Sequence, residues 1–246
     1  MSAVETPPTG GRRRHALPLW LETVLLLVGA LVLAIVIKSF FAQAFYVPSR
    51  SMEPGLIKND RILVEKPSYW FGGSPQRGDV VVFKDPGGWL PEADDAGPTN
   101  PLGKALVKIG LYPAGGHLVK RVIGVAGDTI RCCDKQGRLL VNGHPLDESS
   151  YLTPGLRCAG PEVDHCVHHW TAGPVPPGTL FVMGDNRDDS ADSAYHLCTP
   201  RAPFCGHGSE FVPVSDVVGK VSVLLWPAGR FHVVHRPADF AGVPAS

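Results

Sequence analysis

Residues 23–37 read TVLLLVGALVLAIVI, fifteen positions with neither a charge nor a proline. Leu19, Trp20 and Leu21 extend the run upstream of Glu22, and Phe40 and Phe41 extend it beyond Lys38. With Glu22 and Lys38 snorkelling to the interface, residues 19–41 reach the ~20 residues a helix needs to cross a hydrocarbon core. Arg12, Arg13 and Arg14 stand just upstream, so the positive-inside rule puts the N-terminus in the cytoplasm and everything after about Ala42 outside. A cleavable secretory signal shares this grammar, with Ala42-Gln43-Ala44 as its small-x-small site. Lys38 interrupts the apolar run, and Phe40, Phe41, Phe45 and Tyr46 suit an interfacial aromatic belt, so a retained anchor is expected.

The rest of the chain is of another kind. Among 246 residues there are 28 Gly and 24 Pro, too many breakers for a helical bundle or coiled coil. Apolar residues make up 44%, and 23 basic residues balance 23 acidic ones, which excludes a wholly disordered chain and a protein built to wrap nucleic acid. Strand-like runs recur at 61–64, 79–83, 117–125, 139–141, 179–183 and 217–225, separated by turn chemistry such as the Asn142-Gly143 hairpin signal. The expected fold is therefore mainly β: a cytoplasmic tail over 1–18, an anchor over 19–41 and an antiparallel β domain over 42–236. Within that domain 129–178 form a smaller inserted lobe, and 237–246 form a frayed tail. Residues 85–116 and 147–177 look like insertions or long loops. The first offers Trp89, Leu90 and 102–111 to lipid, or forms an ordinary surface loop.

All six cysteines follow the apolar segment, as expected where disulfides persist. Cys198 with Cys205 closes one short loop, and Cys132 and Cys133 are left to pair with Cys158 and Cys166, since adjacent cysteines rarely bridge each other. Zinc is the rival at His165, Cys166, His168 and His169 near Cys158, but no Cys-x-x-Cys knuckle supports it.

No Gly-x-Ser-x-Gly elbow is present, so the ten histidines do not point to a Ser-His-Asp triad. A serine and a lysine in specific surroundings are more suggestive. The serine lies in PSRSMEPGL, residues 48–56, a few residues past the apolar segment, and the lysine in VKRVIGVAGD, residues 119–128. Strand alternation puts Lys120 and Val122 on one face and Arg121 on the other, where it can stay solvated. A third segment, MGDNRDDSADS at 183–193, is dense in groups that brace a turn, and RGDVVVF at 77–83 is a fourth. Singly, each has a plain reading: Ser51 a turn cap, Lys120 a strand charge, the Asp-rich run a calcium loop or a shaped loop.

In order behind an anchor, the four segments resemble type I signal peptidases, membrane-bound Ser-Lys proteases that remove signal peptides from exported proteins. The resemblance implies that Ser51 is the nucleophile and Lys120 the general base. It implies that Ser49 joins the Ser51 N–H in an oxyanion hole, that Ser190 orients the lysine, and that Asp185, Asn186, Arg187 and Asp192 support the loop. It also implies exported preproteins with an Ala-x-Ala-like site as substrates, a lipid bilayer but no nucleic acid as partner, and neither a metal nor an organic cofactor. Gly55 stands where many relatives have Thr, and Ala194 where some carry an Arg able to pair with the acid at 192, which leaves the bracing of that loop in doubt.

The physics of such a dyad is independent of the name. A serine hydroxyl needs a base, and a lysine serves only when burial makes its amine neutral near working pH. Lowering its pKa from ~10.4 to near 8 disfavours the charge by roughly 3 kcal/mol. Lys120 must then be desolvated, with a neutral partner such as Ser190. Two rivals remain: a Ser-Lys self-cleaving regulator of the kind linked to DNA-binding domains, and an anchored extracytoplasmic binding module holding calcium in the Asp-rich loop.

Overall fold

The computed structural model describes residues 18–37, 41–90, 100–101, 116–152, 170–197 and 210–246. Helix α1 (Leu19–Val36) buries none of its side chains against the rest of the protein, as a lipid-facing helix requires. At ~1.5 Å per residue it is about 27 Å long, close to the hydrocarbon thickness of a bilayer.

Twelve strands follow: β1 (Ala42–Tyr46), β2 (Arg61–Glu65), β3 (Val80–Lys84), β4 (His117–Gly124), β5 (Ile130–Cys132), β6 (Leu140–Val141), β7 (His144–Pro145), β8 (Trp170–Ala172), β9 (Thr179–Met183), β10 (Val212–Pro213), β11 (Val217–Trp226) and β12 (His232–Val233). The main sheet runs β1-β2-β11-β3-β4-β9-β10 with β12 on β11, and a smaller sheet runs β7-β6-β5-β8; all pairings are antiparallel. The mainly β expectation holds, and every strand-like run in the sequence contributes a strand. The additional strands are short or carry small and polar residues. β1 is an example: its Ala42-Gln43-Ala44 drew attention as a processing triplet but pairs with Glu65, Val64 and Leu63 of β2. In the small sheet Asn142 and Gly143 both adopt left-handed φ, 52° and 79°, the pair of values a two-residue primed turn needs to join β6 to β7.

β3 and β4 are central because both their faces are covered. Val81, Phe83, Leu118 and Val122 pack with Trp89, Leu180 and Val182 on one side. Val80, Val82 and Val119 pack with Met52, Leu56, Ile62 and Val221 on the other. The second side continues through Ile123 into the core of the small lobe, with Ile130, Phe181 and Trp170. Lys120 and Arg121 thus project from the middle of a strand with apolar neighbours on both faces.

Three expectations are corrected. The structure joins Cys132 to Cys133, the adjacent pairing the sequence reading set aside; Cys158, Cys166, Cys198, Cys205 and the histidines considered for zinc lie outside the described residues. Trp89 is not offered to lipid. It is buried, edge-on to Phe83 and stacked on His196 at 4.5 Å, in a loop whose Asp85 carboxylate accepts from the amides of Gly87, Trp89 and Leu90; residues 102–111 lie outside the described residues. Nor is the tail frayed: residues 238–242 form a 3-10 turn that buries Phe240, with Val243 buried beyond it, in the core of the small lobe. Arg77 Nη1 and Nη2 donate to the carbonyls of Val243 and Pro244, and Asn142 Nδ2 also donates to Pro244. The apolar side chains spaced along the tail, Phe240 and Val243, are the signal that its Pro and Gly content hides.

Burying each of those two side chains is worth about 1.5–3 kcal/mol. Ending the chain at Pro237 is therefore expected to destabilise the protein by at least about 3 kcal/mol, measured as a lower urea midpoint. An unchanged midpoint would show that the tail contributes nothing.

Candidate active site

Ser51 sits in a tight turn after β1. The amides of Glu53 and Leu56 donate to the carbonyls of Arg50 and Met52, and the fully buried Met52 and Leu56 pin the turn to the core. Asp60 Oδ2 accepts from the Ile57 amide at 2.8 Å, and Arg230 Nη2 reaches both Asp60 Oδ2 and the Gly55 carbonyl. Ser51 is itself buried, and its Oγ lies 3.1 Å from Ser49 Oγ. A Cβ at Gly55 would meet only ordinary contacts at 3.8 and 3.9 Å, so glycine there is not enforced by crowding and the turn is held without a threonine.

Lys120 stands in mid-β4 opposite Val81 of β3 and is only 3% exposed. Desolvation lowers its pKa to about 8, against an opposing pull from Asp192, Asp189 and Asp185. Its Nζ donates to Ser190 Oγ at 3.0 Å, and Ser190 Oγ donates to Asp192 Oδ2 at 2.6 Å. The serine's single proton is thus committed to the carboxylate, so Ser190 meets the lysine as an acceptor. A neutral amine bonded this way keeps its lone pair for another partner.

Asp192 needs no arginine at 194. Its Oδ2 also accepts from the Gly184 amide, its Oδ1 from the amides of Ala194 and Tyr195, and its own carbonyl meets His196 Nδ1 at 2.8 Å. Backbone amides thus supply the bracing that the sequence left in doubt.

The segment 184–187 joins these parts. The Asn186 amide donates to the Ser51 carbonyl at 2.9 Å, and its side chain donates to the Arg50 carbonyl. Gly184 is packed so closely that a Cβ would overlap both the Ser51 carbonyl oxygen and the Ser190 side chain. Asp185 forms a two-pronged buried ion pair with Arg121, from Nε at 2.8 Å and Nη2 at 2.7 Å. Arg121 is therefore not solvated, contrary to expectation: the face opposite Lys120 is closed by Asp185 and by Tyr151, whose ring lies 4.2 Å from the guanidinium. Alternation along the strand was legible, but the cover on its second face was not.

Each expected site residue is among those described. Ser49 meets Ser51; Lys120, Ser190 and Asp192 form one chain; Asp185, Asn186 and Arg187 hold the loop between them. Among the described residues Ser51 Oγ bonds Ser49 and makes no hydrogen bond to Lys120. Asp185 and Asp192 are engaged by Arg121, Ser190 and backbone amides, and no group of three or more His, Cys, Asp or Glu side chains among the described residues converges to hold a metal, so the calcium-loop reading has no support. Nothing in the sequence singled out Glu148 and Tyr151, which lie at the start of a stretch that reads as an insertion yet pack behind the site, nor Arg230.

Fold and site define a class: a β-sheet hydrolase carrying one apolar N-terminal helix. The model of the family described as "Signal peptidase, peptidase S26" matches residues 20–226. Signal peptidase I of Mycobacterium tuberculosis is 43% identical over 228 residues, 87% of this chain and 74% of the relative. The probable signal peptidase I of Mycobacterium leprae is 41% identical over 238 residues, 89% and 80% of the two chains, and signal peptidase I of Leptolyngbya laminosa is 33% identical over 211 residues, 86% and 82%. The chain belongs to the signal peptidase family, peptidase S26, and is a membrane-anchored enzyme of that family.

Proposed function

We propose that this enzyme cleaves signal peptides from exported preproteins with Ser51 as nucleophile and Lys120 as general base. The observation that carries the reading is the buried lysine, lowered to about 8 and aligned by a serine whose proton is already committed. In this mechanism Ser51 Oγ attacks the carbonyl carbon of the scissile bond while Lys120 Nζ takes its proton. The tetrahedral oxyanion accepts hydrogen bonds from the Ser51 amide and the Ser49 hydroxyl. Lys120 then returns the proton to the leaving amine; neutral again, its Nζ deprotonates the water that attacks the acyl-enzyme, and it gives that proton to Ser51 Oγ as the acyl group leaves. Catalytic hydrogen bonds commonly tighten only with substrate in place, so the Ser51 to Ser49 bond is compatible with transfer to Lys120 once the hydroxyl rotates.

Arg12 to Arg14 orient the protein with its N-terminus in the cytoplasm and the β domain from about residue 42 outside. Ser51 then lies a short length of chain from the membrane exit, where the end of a signal peptide emerges. The substrate adds to a strand edge as an extended chain, and shallow pockets select small residues at the first and third positions before the cut. The chain's own Ala42-Gln43-Ala44 is a poor substrate because, as part of β1, it is already paired with β2.

The test is cleavage of a purified preprotein in bilayers, with product masses locating the cut, beside Ser51→Ala and Lys120→Met. Cleavage elsewhere than after a small-x-small site would overturn the specificity. Ser49→Ala is expected to lower kcat by roughly 10²-fold as a lost oxyanion donor; an unchanged kcat would leave that role to the backbone alone.

A further inference from the structure

Among the described residues, a short turn of the small lobe reaches the site. Residues 148–150 form a 3-10 turn ending at Tyr151, and Glu148 and Tyr151 are both buried. Glu148 pairs with both terminal nitrogens of Arg187, Nη1 to Oε2 at 3.3 Å and Nη2 to Oε1, with both side chains under one-tenth exposed. Tyr151 Oη donates to the same Glu148 Oε1 at 2.7 Å. Burial pulls the Arg187 pKa down, but Glu148 outweighs it and leaves it raised.

Arg187 is buried. Its Nε donates to the Gly184 carbonyl at 2.9 Å, and the Gly184 amide donates to Asp192, the acceptor of Ser190. Tyr151 meanwhile lies against Arg121, whose partner Asp185 directly follows Gly184. One turn of the lobe thus grips the two arginines that hold Gly184 and Asp185. A buried ion pair is a poor device for stability alone, since apolar residues of similar volume commonly do as well or better. Its directional bonds instead fix where the 184–192 loop stands.

We propose that Glu148 and Tyr151 are positioning residues for catalysis, acting through Arg187 and Gly184 to keep Ser190 on Lys120. The proposal rests on the Ser51/Lys120 reading. A purely structural role would change how much folded enzyme there is, whereas a positioning role lowers the turnover of folded enzyme and does so only while Ser190 is present.

Glu148→Gln keeps the shape and removes the charge. In the full-length enzyme kcat is expected to fall about 10-fold with KM within about twofold. In a Ser190→Ala background, measured in single turnover at high enzyme concentration, the same change is expected to cost less than about threefold, because the group it acts through is already gone. Tyr151→Phe removes only the hydroxyl on Glu148 and carries the same comparison if Glu148→Gln does not fold, with about a threefold loss that vanishes without Ser190. Equal factors in both backgrounds, or an unchanged kcat in the folded variant, overturn the clamp. Ser51→Ala run alongside separates the failures: an active Ser51→Ala overturns the dyad and the clamp with it, whereas an inactive Ser51→Ala beside a fully active Glu148→Gln overturns the clamp alone.

Discussion

Ser51→Ala is expected to lower preprotein cleavage by at least ~10⁴-fold while the protein stays folded, the scale expected when a covalent nucleophile is removed from a unit that works together. The structure gives the reason for both halves. The substitution deletes one oxygen whose hydrogen bond is to Ser49 at 3.1 Å, and everything else that fixes the turn belongs to neighbours or to the backbone. The Ser51 carbonyl still accepts from the Asn186 amide, the Leu56 amide still donates to Met52, and Met52 stays in the core. Losing one hydrogen bond from a small side chain changes stability by about 1 kcal/mol, so the thermal midpoint shifts by only a few degrees. Cleavage followed by gel shift and product mass, with thermal unfolding on the same preparation, checks the pair of outcomes. A folded Ser51→Ala retaining a tenth of wild-type turnover would remove Ser51 as nucleophile.

How much of this was legible in the sequence depends on what each residue's neighbours are. The anchor, the central strands and the turn at 183–193 could be read because local pattern dictates them: charge-free length for the helix, apolar runs for β3 and β4, and turn-forming side chains packed into 183–193; the roles of Ser51, Lys120 and Ser190 came only from the resemblance of their segments, in order, to a known family. The partnership of Lys120 with a neutral serine could be argued in advance because a neutral amine forbids a direct carboxylate contact. What could not be read was which surfaces another part of the chain would cover. Arg121 looked solvent-bound because alternation sets a side chain's face and says nothing of what packs there. Trp89 looked like a lipid contact because nothing in sequence brings His196 against it. Phe240 and Val243 lay in a tail of Pro, Gly and Ala whose local propensity is for disorder, and long-range packing overrode that propensity. The Cys132–Cys133 bridge was set aside on the rarity of bonds between adjacent cysteines, a base rate that a single site is free to violate.

The second large effect divides function from stability at one residue. Lys120→Met, similar in length and without an amine, is expected to abolish cleavage to the same degree as Ser51→Ala if Lys120 is the general base, and yet to raise stability at neutral pH. Burial lowers the lysine's pKa from 10.5 to about 8 in the fold, so the unfolded chain binds the proton more tightly than the native protein does. At pH 7 both states are protonated, and the native state bears the cost of a desolvated charge. At about 1.4 kcal/mol for each tenfold change in proton affinity, that cost is about 3 kcal/mol. Between pH 8 and 10.5 the unfolded lysine holds a proton the native one has lost, and in that window wild-type stability rises with pH. The stability advantage of Lys120→Met should therefore be largest below pH 8, shrink across the window and vanish toward pH 10.5, less whatever the methionine loses by leaving Ser190 without its donor. Wild-type kcat/KM should climb through an acid limb near pH 8 as the same proton leaves. Chemical unfolding of the two proteins at several pH values, beside a pH profile of wild-type cleavage, measures one ionisation in two ways. A Met variant less stable than wild type at pH 7, or an acid limb far from the pH at which the stability gap begins to close, would mean that the lysine is not held as a desolvated amine.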